Sequence, residues 1–436
     1  PPGRAGIPGV VAPVADQRGH DDRLRVEPVI WLESIRGFRT LTPDERRRLA
    51  PSDGAASTTP TPTSADAAGT DGADATWLRQ IWTRARPALG VVRRAVVAAL
   101  VALRLEPPLR RARRWQLRRT RDRDLVPLGV ALAHGSVLFE LDTVWNNTWV
   151  DRDDLYARLR ADGVHVAALV YDLLPQQHPE WFEPSLVQVS DRTIAAQAAH
   201  AELVLAISEH TARSFTHWSA TGGRPAVTPQ VIALGADAAT ASDTPAALPA
   251  ELHGVRYVLT VGTVEPRKNH ATLLDAFDRL RATDPDAHLV VVGRPGWHNE
   301  RVLARLGAHP SLGRQLHWYR SAGDDLLATL YSHARVVAVA SITEGYGLPV
   351  IEAMSHGVPV VASDGGALVE AGGDLVVHVG ATDVDAWVTM LGRYLHDDDL
   401  VAERRSALRS YRPPTWSDTG RQVADALVER FAASPR

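Results

Sequence analysis

At 436 residues the chain is longer than one typical domain, so two lobes plus attachments are expected. Its 45% hydrophobic and 23% charged residues are ordinary for a globular protein and exclude a polytopic membrane protein or a wholly disordered chain. The lack of cysteine excludes disulfides, thiolate metal sites, iron–sulfur clusters and a cysteine nucleophile, and the formal net charge of −3 conceals a strong asymmetry along the chain.

The chain opens Pro1-Pro2-Gly3-Arg4 with no secretory signal in view. Residues 51–76 are almost wholly Ser, Thr, Ala, Pro, Asp and Gly, a composition that cannot bury a core and reads as a flexible linker. Residues 77–123 hold 14 Arg against Glu106 and Asp122. That basic stretch on an otherwise acidic body suggests an anionic partner. Its apolar middle is split by Arg93 and Arg94, leaving too short a run for the roughly 20 residues that cross a bilayer. Trp77, Trp82 and Trp115 flank it. Two readings stand: a basic amphipathic insert lying on an anionic membrane surface, or a helical hairpin broken at Pro107-Pro108 with its Arg in water. No nucleic-acid partner is expected, because no recognition module accompanies the charge.

Short apolar runs follow at 137–141, 164–170 and 203–207, and again at 257–261, 289–292, 336–340 and 358–362, alternating with helical patterns such as 272–281. This alternation predicts an α/β protein with two doubly wound parallel sheets. A breaker-rich stretch at 238–249 separates them, giving an N-terminal lobe over 1–240, a C-terminal lobe over 250–415 and a final helix at 416–436 expected to pack back on the N-terminal lobe.

In open parallel sheets ligands bind beyond the carboxyl ends of the strands. The run 257–261 leads through Gly262-Thr263-Val264-Glu265-Pro266 to Arg267 and Lys268, then to a helix with Asn269 as the expected N-cap. Lys268 is the single lysine among 48 basic residues. Drift of a GC-rich genome toward arginine accounts for the other 47 and marks the survivor for attention. Side by side, a planar guanidinium and a mobile ammonium suit a diphosphate. The run 336–340 leads to Glu344-Gly345-Tyr346-Gly347-Leu348-Pro349, with a helix predicted over 349–356 and closed by Gly357. There the glycines admit close backbone approach, the helix start offers N–H groups to phosphate, and Glu352 is placed to accept hydroxyls of a ribose. Asp284-Pro285-Asp286 reads as a turn after a helix, and no metal site or cofactor is expected.

The segments 262–269, Gly293-Arg294-Pro295-Gly296-Trp297 and 344–353 closely resemble the retaining nucleotide-sugar glycosyltransferases of family 4, the glycosyl transferases group 1. The resemblance implies the two-lobe GT-B fold, with both lobes facing a central cleft. It implies donor contacts from Gly262, Thr263, Arg267, Lys268, Gly293, Arg294, Glu344, Gly345, Tyr346, Gly347, Leu348 and Glu352. Arg267 and Lys268 would hold the diphosphate, Glu352 the ribose hydroxyls, and Glu344 would lie by the transferred sugar. In the N-terminal lobe, Tyr171-Asp172-Leu173-Leu174-Pro175 resembles the family's His-Asp-Leu-Ile-Pro segment. Tyr171 stands where many members carry a sugar-facing His, so either Tyr171 or Asp172 could contribute, or the segment is a plain strand-end turn. Ser208-Glu209 and 234–237 also resemble positions near the cleft. Gly6-Ile7-Pro8-Gly9-Val10 resembles the loop after the first strand of that lobe, which implies that the strand itself is missing; a tail at 1–13 is the other reading.

For such a transfer, positive charge aimed at the departing nucleoside diphosphate is the main lever. The resemblance implies retention of anomeric configuration, with a donor phosphate oxygen taking the acceptor proton. It favours a hexose such as mannose, from GDP-mannose, moved to a glycan or lipid-linked acceptor in surface polysaccharide or lipopolysaccharide assembly. The expected place is the cytoplasm, at the inner face of the plasma membrane if the insert binds lipid. Rival readings are a catalytically inactive donor-binding scaffold and a sugar-nucleotide epimerase of the same fold. A phosphorylase would need a cofactor-bearing lysine besides Lys268, and there is none.

Overall fold

A computed structural model describes residues 29–32, 37–40, 132, 134–141, 151–225, 227–236 and 246–432. The expected linker at 51–76, the basic insert at 77–123 and the expectations for residues 1–13 lie outside these. The contacts divide the chain into Pro28–Ala131 on the one hand and Pro1–Glu27 with Leu132–Arg436 on the other. Of the first unit only an antiparallel pair is described, β1 (Val29–Leu32) and β2 (Gly37–Thr40), with Val29 opposite Thr40.

The second unit contains two sheets. The N-terminal lobe is built in chain order from β3 (Val137–Glu140), α1 (Arg152–Ala161), β4 (His165–Val170), α2 (Leu174–Gln177), α3 (Pro184–His200), β5 (Leu203–Ala206), α4 (Glu209–Thr221) and β6 (Gln230–Val231). Its strands lie in the order β3-β4-β5-β6, all parallel. The C-terminal lobe follows with β7 (Tyr257–Val261), α5 (His270–Thr283), β8 (His288–Val292), α6 (Glu300–Gly307), β9 (Leu316–Tyr319), α7 (Asp324–His333), β10 (Val336–Val339), α8 (Leu348–Ser355), β11 (Val360–Ser363), α9 (Leu368–Gly372), β12 (Val377–Val379), α10 (Val384–His396) and α11 (Asp398–Leu408). The chain ends in α12 (Trp416–Phe431).

Strands such as Val336-Val337-Ala338-Val339 are apolar at every position because helices cover both faces of a parallel sheet. In the C-terminal lobe one apolar layer packs α5 and α10 under the sheet, with Phe277 and Trp387 buried, and a second packs α7 and α8 over it, with Tyr331 and Met354 buried. Helix α12 places Val423, Ala426 and Leu427 in the N-terminal lobe's core beside Leu169, Leu205 and Ile232. A capping box at Thr415 and Asp418 starts this helix, and the carbonyl of Pro414 accepts from Ala236 N–H at 3.0 Å. No helix among the described residues is long and apolar enough to cross a membrane.

Asn269 stands at the expected N-cap position of α5, but its side chain does not cap the helix. It sits in the left-handed region at φ 53° and makes no side-chain bond to the helix backbone. Its amide instead donates to the Ala381 carbonyl at 2.7 Å and its oxygen accepts from the Thr272 hydroxyl at 2.9 Å. Asn tolerates that backbone better than most residues, so here it serves the turn rather than the helix end.

Candidate functional site

The C-terminal sheet runs β12-β11-β10-β7-β8-β9. The chain winds outward from β7 in one direction through β8 and β9, and from β10 in the other through β11 and β12. The loops leaving β7 and β10 therefore diverge and open the crevice at which ligands bind in such sheets. The β7 loop contains the short turn Pro266–Lys268 and the β10 loop contains Glu344. A backbone bond from Ile342 N–H to the Arg267 carbonyl, 2.8 Å, joins them.

An ion cluster fills that junction. The Glu344 carboxylate accepts from the Arg267 guanidinium, from Lys268 Nζ at 2.6 Å and from the Ser341 hydroxyl at 2.7 Å. Arg267 also donates to Glu265 Oε1 at 2.7 Å. Glu344 is only 6% exposed. Burial alone would push its carboxyl up, but Lys268 and Arg267, with the Lys268 and Ser341 hydrogen bonds, outweigh it and hold it at about 2. For Arg267, burial works against the charge, and Glu344, Glu265 and Asp172 override it and raise the pKa. The two cations are thus fixed in place while keeping N–H groups to spare, since a guanidinium has five donors and an ammonium three.

From the opposite lobe, the loop after β4 brings Asp172 to this cluster. Its carboxylate accepts from Leu174 N–H at 3.1 Å. Burial raises its pKa, the Leu174 bond and the nearby Arg267 oppose that, and Glu344 and Glu265 reinforce it. The lobes touch at Gly345, where an added Cβ would stand 2.7 Å from the Tyr171 carbonyl oxygen and 3.0 Å from Asp172 Cβ. Gly345→Ala should therefore destabilise the protein by about 1 to 3 kcal/mol and lower activity, measured by thermal unfolding alongside turnover. Wild-type behaviour in both would show that the lobes do not work in this contact.

The remaining sequence-predicted residues fall in distinct places. Lys268 lies over Gly262, whose added Cβ would be 3.2 Å from Lys268 Cε. Gly293 lies against the Gly262 carbonyl, while Arg294 is exposed and its carbonyl accepts from Val264 N–H at 2.9 Å. Thr263 is half-buried beside Gly296. Gly347, at φ 101°, turns the chain into α8 just before Leu348, a conformation glycine adopts without strain. Glu352, on the same helix, accepts from the Tyr331 hydroxyl at 2.8 Å. Burial raises its pKa, with the Tyr331 bond and Lys268 pulling the other way, so Lys268 acts on both carboxylates.

The hydroxyls of Tyr171, expected near the sugar, and of Tyr346, expected among the donor contacts, are otherwise engaged. Tyr171 donates to the Leu141 carbonyl at 2.6 Å, and its ring packs against the N-terminal lobe's core. Tyr346 donates to the Leu234 carbonyl and accepts from Leu234 N–H, both at 2.9 Å, so it ties the β10 loop to the N-terminal lobe. Several supporting residues escaped sequence reasoning. Glu265 lies two residues before Arg267 in the same strand-end loop and was the one most open to detection. Ser341 and Tyr331 carried no signal, because their partners are defined only by the folded sheet. Asp284-Pro285-Asp286 is indeed a turn, in which Asp284 accepts from Asp286 N–H at 3.1 Å. No cluster of metal-ligating side chains occurs among the described residues.

Residues 249–412 match the family Glycosyl transferases group 1. A serotype-specific mannosyltransferase, WbdA of Escherichia coli, is 34% identical over 217 residues, which are 47% of this chain and 27% of that protein. The O-antigen chain mannosyltransferase B of Escherichia coli is 36% identical over 176 residues, 39% of this chain and 45% of that protein. Each alignment thus takes in less than half of the relative's length. Among solved structures, Anabaena HepE in complex with UDP-glucose superposes with a TM-score of 0.54 at 18% identity, covering 67% of this chain and 79% of that one. An α,α-trehalose-phosphate synthase from Burkholderia xenovorans does so with 0.52 at 16% identity, covering 63% and 70%. These two share the fold, two Rossmann-like lobes. Within that fold, the C-terminal lobe, residues 249–412, is similar to the glycosyl transferases group 1 family.

Proposed function

We propose that the protein is a retaining hexosyltransferase that moves mannose from a nucleoside-diphosphate sugar, GDP-mannose in the favoured case, to a glycan or lipid-linked acceptor in surface polysaccharide assembly. The observation that carries this reading is the pair Arg267 and Lys268, bracketed on buried Glu344 at the point where the loops leaving the paired strands β7 and β10 diverge. A departing diphosphate gathers negative charge as the sugar acquires oxocarbenium character. Cations already held in place stabilise that charge without reorganising at the moment of reaction. The start of α8 and the amides near Gly347 add donors of the same sense. Neutralisation by Arg267, Lys268 and these amides needs no metal ion.

Glu344 is not a nucleophile in this scheme. Its two oxygens are committed to two cations and a hydroxyl, and at about 2 its carboxylate is a weak base. Retention is therefore assigned to attack on the face the diphosphate leaves, with a donor phosphate oxygen taking the acceptor's proton. Asp172, brought from the N-terminal lobe, flanks the sugar position. The mannose preference is supported by the names of the two Escherichia coli relatives. A lipid-linked acceptor suits a basic insert at 77–123 held against an anionic membrane. The test is incubation of the purified chain with GDP-mannose and membrane extract, with anomer analysis of the product. Transfer of an α-linked mannose is expected. An inverted product would overturn the mechanism, and an isomerised donor without acceptor would favour the epimerase.

A further inference from the structure

The first turn of α4, in the N-terminal lobe, is held by the C-terminal lobe. The Glu370 carboxylate, on the short helix α9, accepts from the backbone N–H groups of Glu209 at 2.8 Å and His210 at 3.1 Å. The third N–H of the turn, that of Thr211, goes to the Ser208 hydroxyl oxygen at 3.0 Å. That same hydroxyl donates to the Gly345 carbonyl at 2.7 Å. The Thr211 hydroxyl lies 3.2 Å from this carbonyl and 3.2 Å from that of Tyr171. A helix start ordinarily draws its missing acceptors from its own cap or from water. Here two of them come from a carboxylate on the other lobe, set at the positive end of a 13-residue helix.

Helix α9 is also tied to the ion cluster. Ala367 N–H, just before it, donates to the Glu344 carbonyl at 3.0 Å, and Gly366 lies so close that an added Cβ would stand 2.5 Å from that carbonyl oxygen. The loop of Glu344 and Gly345 is therefore backed by the segment carrying Glu370 and gripped through Gly345 by the turn that Glu370 caps.

We propose that Glu370 is a positioning residue, whose carboxylate on the start of α4 couples closure of the two lobes to placement of the Glu344–Gly345 loop. Glu370 itself is exposed and touches neither Arg267 nor Lys268 in this arrangement, so it acts through the loop. The kinetic half of this inference rests on the transferase reading; the conformational half does not.

The chain has no native cysteine, so Gln188→Cys and Asp399→Cys, both exposed and one on each lobe, can carry a pair of spin labels without competing thiols. In the ligand-free protein, adding Glu370→Gln should broaden the interlobe distances toward longer values. Ser208→Ala should act in the same sense, the two together falling short of additivity because they hold one turn. With GDP-mannose and membrane extract, Glu370→Gln should lower kcat about tenfold or more while donor affinity by calorimetry stays within about twofold of wild type. Distances unchanged by Glu370→Gln overturn the clasp. Changed distances with unchanged kcat overturn its role in positioning. If GDP-mannose fails to bind the wild type, the transferase reading falls and the ligand-free distances still decide the clasp.

Discussion

Glu344→Gln should cut turnover about 100- to 1,000-fold, the scale of losing a preorganised electrostatic group. An amide can still accept one hydrogen bond, but it leaves Arg267 and Lys268 without the charge that orients both. Stability should change with pH in a way that identifies the residue. The Glu344 carboxyl is held at about 2 against an ordinary 4.5. A group depressed on folding contributes stability that is fully present above its unfolded pKa and is lost as pH falls toward its folded pKa. The window is therefore pH 4.5 down to about 2, and the contribution is about 3 kcal/mol. Urea titrations across that window should show the wild type losing this increment, with Glu344→Gln less stable at pH 7 and converging on the wild type in acid. Parallel curves would mean that the carboxylate is not held by the two cations.

Lys268→Ala is expected to weaken donor binding by about 1 to 3 kcal/mol, the cost of a lost hydrogen bond to a charged group. The fold should feel it too. Lys268 lies on Glu344 at 2.6 Å with its side chain 12% exposed, so its loss leaves a buried carboxylate with one cation instead of two, and one-sided removal from a buried pair is costly. A drop in melting temperature should accompany the loss of affinity. Lys268→Arg separates charge from shape. The lysine stem lies over Gly262, with Cε 3.2 Å from where a side chain would begin. An arginine fork there must crowd that backbone or leave Glu344. Turnover should fall although charge is retained. Wild-type turnover in this variant would mean that any cation suffices and that the lone lysine survived by accident.

The fold class was legible because buried parallel strands write themselves as unbroken apolar runs, and 257–261 and 336–340 were found within a residue of β7 and β10. Their adjacency was not. Nothing in either run says that β7 pairs with β10, and that pairing alone brings Glu344 to Arg267 and Lys268, 77 and 76 residues away. The sequence therefore placed these residues at strand ends but set the cations toward a ligand and Glu344 toward a sugar, without seeing them bound to each other. Tyr171 and Tyr346 illustrate the same limit. A motif position shows that a hydroxyl stands near the crevice, whereas its partner, Leu141 or Leu234, is a backbone group selected by packing. Asn269 shows a local failure of a different kind: its type suits a helix cap and equally suits a left-handed turn, and the contact with Ala381 decided between them. Glu370 lay outside every motif, since its role depends on a helix start in the other lobe.

The central claim is that the crevice between the β7 and β10 loops binds a nucleoside-diphosphate sugar through Arg267 and Lys268. Calorimetric titration of GDP-mannose, with UDP- and ADP-sugars alongside, into the wild type and into Lys268→Ala tests it most directly. Saturable binding of at least one sugar nucleotide by the wild type is predicted, weakened about fivefold to 150-fold in the variant. Equal affinity in the two proteins would contradict the placement of the site, and no binding of any of these sugar nucleotides to the wild type would contradict the function.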